Sequence, residues 1–203
     1  MSDASGFREK IKAYIAQEAL PVEKFGHQPR LYELTREAGA GLHYDDDVVF
    51  AASWLHDIGV FTGHRPEDPA KLATWDNVAY AMERTPSILR SMGFPEEKIE
   101  AVVETIRTHQ PAAEPTSIEG IILRDADILE QLGAIGILRT VCKIGRDTRL
   151  STFTAAVDSL RNAVTQLPGR LQLETSRALA RLKTELLESF LKSVDLEAKD
   201  NLH

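Results

Sequence analysis

Asp45-Asp46-Asp47-Val48-Val49-Phe50-Ala51-Ala52-Ser53-Trp54-Leu55-His56-Asp57-Ile58-Gly59 is the stretch that decides the fold. The three aspartates are a helix start. Their side chains cap free amides and suit the positive end of the helix dipole. The run from Val48 to Leu55 is apolar nearly all round, which predicts a helix in the middle of a bundle. That helix ends in a histidine, an aspartate and a glycine, next to a loop. Polar ligand atoms are therefore carried to the end of a buried element.

On either side, the spacing of apolar residues is helical. Phe7, Ile11, Tyr14, Ile15 and Leu20 follow an i, i+4, i+7, i+8 pattern, so residues 7–19 read as an amphipathic helix that Pro21 breaks. Gly26-His27-Gln28-Pro29 precedes a second helix through Leu31, Leu34 and Ala38, which Gly39 and Gly41 stop. Residues 61–71 (FTGHRPEDPAK) read as a loop, a rim or lid beside the buried helix. A helix resumes near Asp76 and runs to Met92, with a kink or break expected at Pro86. Residues 98–108 are amphipathic, with Ile99, Val102, Val103 and Ile106 inward, and His109 closes them. Residues 118–132 (IEGIILRDADILEQL) read as another buried helix, and Gly133, Gly136 and Gly145 punctuate the next. Residues 154–164 and 171–195 are two more amphipathic stretches, joined by the turn Leu167-Pro168-Gly169. In the last, Leu179, Leu182, Leu186, Phe190 and Leu191 form an apolar stripe, able to pack on its own domain or on a second copy. No sustained period-two alternation is present. The expected fold is all-α, one domain over 1–203, with a core over 20–145 and a C-terminal helical pair over 152–197 packing on it.

Composition narrows the partners. A charged share of 27%, a hydrophobic share of 43% and a net charge of −7 fit a soluble globular protein. They give no basic footprint for a nucleic acid polymer or an anionic membrane. No stretch reaches the apolar length of a membrane span, and the polar N-terminus lacks the apolar core of a signal peptide. A cytoplasmic protein is the default expectation. Cys142 is the single cysteine, so an intrachain disulfide is excluded, and it reads as a small core residue.

Chemistry enters with His27, His56, Asp57, His109 and Asp127, all in or beside predicted helices. Imidazole nitrogen and carboxylate oxygen suit Mn²⁺, Fe²⁺, Zn²⁺, Co²⁺ or Mg²⁺. Side chains from several helices are a recurrent way to hold such an ion. Taken singly, His27, Asp127 and the His56-Asp57 pair each read more readily as a solvated or capping group. The order and spacing of the set are what point to a metal.

The order His27 … His56-Asp57 … Asp127 resembles the HD-domain metal-dependent phosphohydrolase superfamily. Gly26-His27-Gln28-Pro29-Arg30 is similar to that family's first histidine with an arginine three positions on. Asp125-Ala126-Asp127-Ile128-Leu129-Glu130-Gln131-Leu132-Gly133-Ala134-Ile135-Gly136-Ile137 resembles the "DAD … GA-x-GI" run of its small bacterial hydrolases, some of which act on nucleoside triphosphates. Gly93 to Ile99, Ile106 to His109 and Leu167 to Arg170 share the likeness, which covers most of the chain.

The resemblance implies one divalent metal held by His27, His56, Asp57 and Asp127. It implies hydrolysis of a nucleotide or other small phosphate ester or anhydride by a metal-activated water. Asp57 and His64 are the catalytic candidates. Arg30, Lys71 and His109 are the candidates for binding the substrate's phosphate, and Asp125 for orienting a ligand or an arginine. Two departures stand out. Where many relatives carry a further histidine, this chain has Asn77, a poor ligand for a second metal. Where they often carry a lysine, it has Ser159. Two other functions fit the scaffold: a di-iron oxygenase, which needs more histidines, and a catalytically weak nucleotide-binding regulatory module. A homodimer is left open.

Overall fold

The computed structural model describes residues 4–145, 150–199 and 201–203. It is all-α, and among the described residues there is no strand beyond one isolated bridge between Thr62 and Arg65. Ten α-helices follow one another: α1 (Ala4–Glu18), α2 (His27–Ala38), α3 (Asp46–Leu55), α4 (Pro69–Ala73), α5 (Asn77–Met92), α6 (Ile99–Arg107), α7 (Ile118–Glu130), α8 (Gly133–Val141), α9 (Phe153–Gln166) and α10 (Glu174–Ala198). The chain forms two compact units, Met1–Arg124 and Asp125–His203, and the division falls inside α7.

In the first unit α3 is the centre. Every residue from Val48 to Leu55 is buried, and α1, α2 and α6 pack around it. Its start is held as the three aspartates predict. The Asp45 carboxylate accepts from the amides of Asp47 (3.0 Å) and Val48 (3.4 Å). Arg8 of α1 reaches Asp46 (2.8 Å) and Asp47 (2.6 Å), and lies 4.7 Å over the ring of Phe50. The Lys98 ammonium bridges Asp45 and Asp47 at 2.9 Å each. The Tyr32 hydroxyl donates to Asp46 (2.9 Å). Three carboxylates are thus tied to two cations on neighbouring segments.

Helix α5 runs through Pro86 without a break. An internal proline costs a helix about 3 kcal/mol. Here Ala81, Thr85, Ile88, Leu89 and Met92 are buried in the same helix, which packs against α1 and α6. Burial of the aliphatic side chains at about 25 cal/mol per Å² outweighs that cost.

In the second unit α8, α9 and α10 pack on one another. The core here is Ala156, Val157, Leu160, Leu167, Leu171, Ala180, Leu187 and Leu191. The stripe expected on the last helix is only partly inward. Leu191 is buried and Leu179 and Phe190 half-buried, but Leu182 is 76% and Leu186 45% exposed, and Ser176, Ala180 and Leu187 are buried in their stead. Small side chains let α10 approach its neighbours closely, so the face carrying Ser176 and Ala180 turns inward. Gly136 is required in α8, because a Cβ there would stand 2.2 Å from the carbonyl oxygen of Gln131. Cys142 is exposed, against the expectation of a core residue, because it follows the last turn of α8.

Asp125 also departs from expectation. Its buried carboxylate accepts from the backbone amides of Gln172 (3.0 Å) and Leu173 (2.8 Å), at the entry to α10. Leu173, the residue before α10, brings no side-chain cap of its own. The first aspartate of the Asp125-Ala126-Asp127 motif therefore serves this helix start from a distance and is occupied by backbone.

Candidate metal centre

Three elements of the first unit converge. α2 begins at His27. The chain leaves α3 at His56, whose backbone amide still bonds to Ala52. Asp57 then opens the short 3-10 turn Ile58–Val60. The turn entering α2 is braced by Gln28, whose side-chain amide donates to the carbonyls of Lys24 (3.0 Å) and Phe25 (3.1 Å).

His27, His56 and Asp57 each offer a ligand atom within 4.8 Å of the others. Nε2 of His27 lies 3.3 Å from Nε2 of His56. Asp57 Oδ2 lies 3.5 Å from the first nitrogen of this group on its own neighbour, His56, and 3.8 Å from that of His27. Both histidines are buried, and the Asp57 side chain is 20% exposed, so the cluster faces inward with one opening side.

The tautomer of His56 follows from its partner. Nδ1 lies 3.0 Å from the Ser53 carbonyl, which only accepts, so the proton sits on Nδ1 and Nε2 presents its lone pair to the cluster. His109 repeats the device: its Nδ1 donates to the Ile106 carbonyl at 2.6 Å. Its ring meets that of His56 edge-on at 4.8 Å. Burial would raise the Asp57 carboxyl. The imidazoles of His56, then of His27 and His109, outweigh it when protonated and hold Asp57 well below the ordinary carboxylate range.

This donor set fits a divalent transition metal. Two ring nitrogens facing each other at hydrogen-bond distance are satisfied by one N–H···N bond or by a cation that both bind. A carboxylate kept ionised beside them supplies the negative charge. Imidazoles oriented through Nδ1 by a carbonyl are the usual support of such ligands.

The other expected site residues have the following surroundings. Asp127 lies on α7 in the second unit, half-buried, and its carboxylate accepts from the Gln131 side chain at 3.1 Å. Both ring nitrogens of His64 are engaged, one with Glu18 (2.8 Å) and one with the Tyr80 hydroxyl (2.9 Å). Arg30 is exposed and folds back over Gly26, where a Cβ would stand 2.8 Å from its Nη1. Lys71 is exposed on α4. One contact escaped the sequence reading. The Asn77 side chain donates to Asp57 Oδ1 at 3.5 Å. The adjacent Asp76, an evident N-cap, was the signal that this residue opens a helix.

An all-α bundle with two histidines and an aspartate converging at the end of its central helix defines a class of metal-site proteins. The chain matches the family model of the HD domain over residues 25–132, just over half its length, and belongs to that family. Solved structures agree on the fold. An HD-superfamily hydrolase from Bacillus thuringiensis is 18% identical with a TM-score of 0.67, covering 97% of each chain. A predicted HD superfamily hydrolase from an uncultured Thermotogales bacterium is 22% identical with a TM-score of 0.63, covering 93% of this chain and 91% of that one. Bacillus subtilis YpgQ in complex with ADP is 18% identical with a TM-score of 0.67, covering 94% of this chain and 97% of that one. Among curated proteins, none matches the chain significantly. Among the described residues, no helix is long and apolar enough to cross a membrane.

Proposed function

We propose that this protein is a metal-dependent phosphohydrolase acting on a nucleotide or another small phosphate ester or anhydride. The observation that carries the reading is the convergence of His27 Nε2, His56 Nε2 and Asp57 Oδ2, with the His56 tautomer set by Ser53. Membership of the HD family supports it, as does the ADP bound by the similarly folded YpgQ. Asp127, inside the family match, is the fourth ligand in this reading. Its neighbour Asp125 is committed to Gln172 and Leu173, which supports the choice between the two.

A divalent ion held by these residues would supply Lewis-acid chemistry for phosphoryl transfer. The chain's own residues supply position and charge, which dominate phosphoryl transfer. His27 and His56 orient the site through neutral nitrogens, and Asp57 contributes the fixed negative charge. His109, its Nδ1 bonded to the Ile106 carbonyl, is the imidazole that would bind a substrate oxygen. Arg30 and Lys71, both exposed, are the cations that would clamp phosphate. His64, held between Glu18 and Tyr80, fixes the loop between α3 and α5. The overall negative charge of −7 favours a small substrate over a nucleic acid polymer.

The test is product release from a panel of nucleotides and phosphate esters with Mn²⁺, run beside Asp57→Ala. One substrate class should be hydrolysed by the native protein alone. Metal binding without turnover of any phosphate compound would overturn the reading.

A further inference from the structure

We propose that Asn77 is a positioning residue that divides the work of the Asp57 carboxylate, engaging Oδ1 so that Oδ2 alone is presented to the metal. The inference rests on the metal reading above and deepens it. The two oxygens have different surroundings. Oδ2 faces the His56 and His27 nitrogens at 3.5 and 3.8 Å. Oδ1 faces the Asn77 amide nitrogen at 3.5 Å.

The placement of Asn77 is built from both sides. Asn77 opens α5, and the preceding Asp76 carboxylate caps the helix by accepting from the amides of Val78 (3.0 Å) and Ala79 (2.9 Å). That cap fixes where the first side chain of the helix points. From the other side, the turn carrying Asp57 comes directly against the helix start. A Cβ on Gly59 would stand 2.7 Å from the Asn77 carbonyl oxygen and 2.9 Å from its Cα, both backbone atoms, so only glycine fits. The Trp75 indole then donates to the Gly59 carbonyl at 2.8 Å, closing the segment onto the same turn. Residues 75–77 are therefore held directly against residues 57–59.

The chemistry follows from the amide. It is neutral, so it leaves the negative charge of Asp57 for the metal. It donates to the carboxylate, so it restrains rotation about the Cβ–Cγ bond. A carboxylate with one oxygen so engaged binds an ion through the other, in one geometry. Without that donor it is free to turn or to bind through both oxygens.

The experiment is Mn²⁺ titration by calorimetry on native protein, Asn77→Leu, Asn77→Ala and Asp57→Ala, together with the metal-induced infrared difference spectrum of the carboxylate stretches using carboxyl-labelled aspartate. Leucine keeps the branched shape of asparagine without the donor, and alanine keeps the helix start should leucine fold poorly. Both Asn77 variants should bind Mn²⁺ roughly 10–100-fold more weakly, the usual cost of losing a partner of a metal ligand. The separation of the antisymmetric and symmetric stretches should narrow from that of a one-oxygen carboxylate. Unchanged affinity and an unchanged spectrum in both, with native protein binding and Asp57→Ala not binding, would overturn the role of Asn77 and leave the metal site standing. Failure of the native protein to bind Mn²⁺ would instead overturn the metal reading itself, and this inference with it.

Discussion

The two ends of α3 carry the same kind of group and use it differently. At the start, Asp45, Asp46 and Asp47 meet Arg8 and Lys98, cations that stay charged at any ordinary pH. At the far end, Asp57 meets the imidazoles of His27 and His56. In both places basic neighbours hold a carboxyl down: Asp47 and Asp57 both lie below the ordinary carboxylate range, against a burial effect that would raise them. The difference is in what the partners can share. A guanidinium or ammonium has only protons to offer and completes a closed ion network. A neutral imidazole has a lone pair and leaves room for a cation. Burial and aspartate alone do not make a site; the neighbours do.

Asp57→Ala should break the contrast most severely. It should lose metal binding by more than the roughly 10–100-fold that outer partners cost. Circular dichroism should show the helices retained. A protein that still binds Mn²⁺ normally would remove Asp57 from the site.

Adding the metal should sharpen the contrast at one end only. Mn²⁺ at about 100 times its dissociation constant should stabilise the fold by about 2.7 kcal/mol. Denaturant titration with and without the ion measures this, and Asp57→Ala should abolish the difference. Equal stabilisation of both proteins would place the bound ion elsewhere.

Arg8→Ala should act at the opposite end. Its side chain is a quarter exposed, so solvent screens the ion pairs, and a loss of about 1 kcal/mol is expected. Part of that loss is packing over Phe50. Affinity for Mn²⁺ should stay as in the native protein.

The smallest effect is in the pH dependence. Burial opposes ionisation of Asp47, but hydrogen bonds from Arg8 and Lys98 and their charges lower its pKa. A carboxyl that is more acidic folded than unfolded stabilises the fold fully above the unfolded value of about 3.9. That contribution is lost as pH falls through the lower, folded value. Arg8→Ala should therefore flatten the decline of stability below about pH 4. An identical acid limb in both proteins would show that the network does not couple to protonation.

Much of this was legible in the sequence, for stated reasons. The all-round apolar run from Val48 to Leu55 marked the central helix. The acidic triplet marked its start, and His27, His56 and Asp57 were named before their contact was visible. What escaped depends on tertiary neighbours. Pro86 signals a break locally, but burial along α5 overrides it. The Leu182 and Leu186 stripe looks like an inward face until Ser176 and Ala180 allow closer packing. The resemblance preferred Asp127 to Asp125 as a ligand, but the partners of Asp125, the distant amides of Gln172 and Leu173, leave no mark in the local sequence. Asn77 was recognised as a departure from the family, but its bond to Asp57 is a matter of space rather than spacing.

The Asp125 interaction has a consequence for how the chain tolerates shortening. A fully buried carboxyl group takes its hydrogen bonds from amides that arrive nearly fifty residues later. A stop codon placed before Gln172 would delete more than a terminal helix. It would leave a buried polar side chain in the interior with these donors gone, at a cost of about 1–3 kcal/mol. The segment from Gln172 onward is in this sense the solvent of Asp125, and its removal should be felt in α7 first.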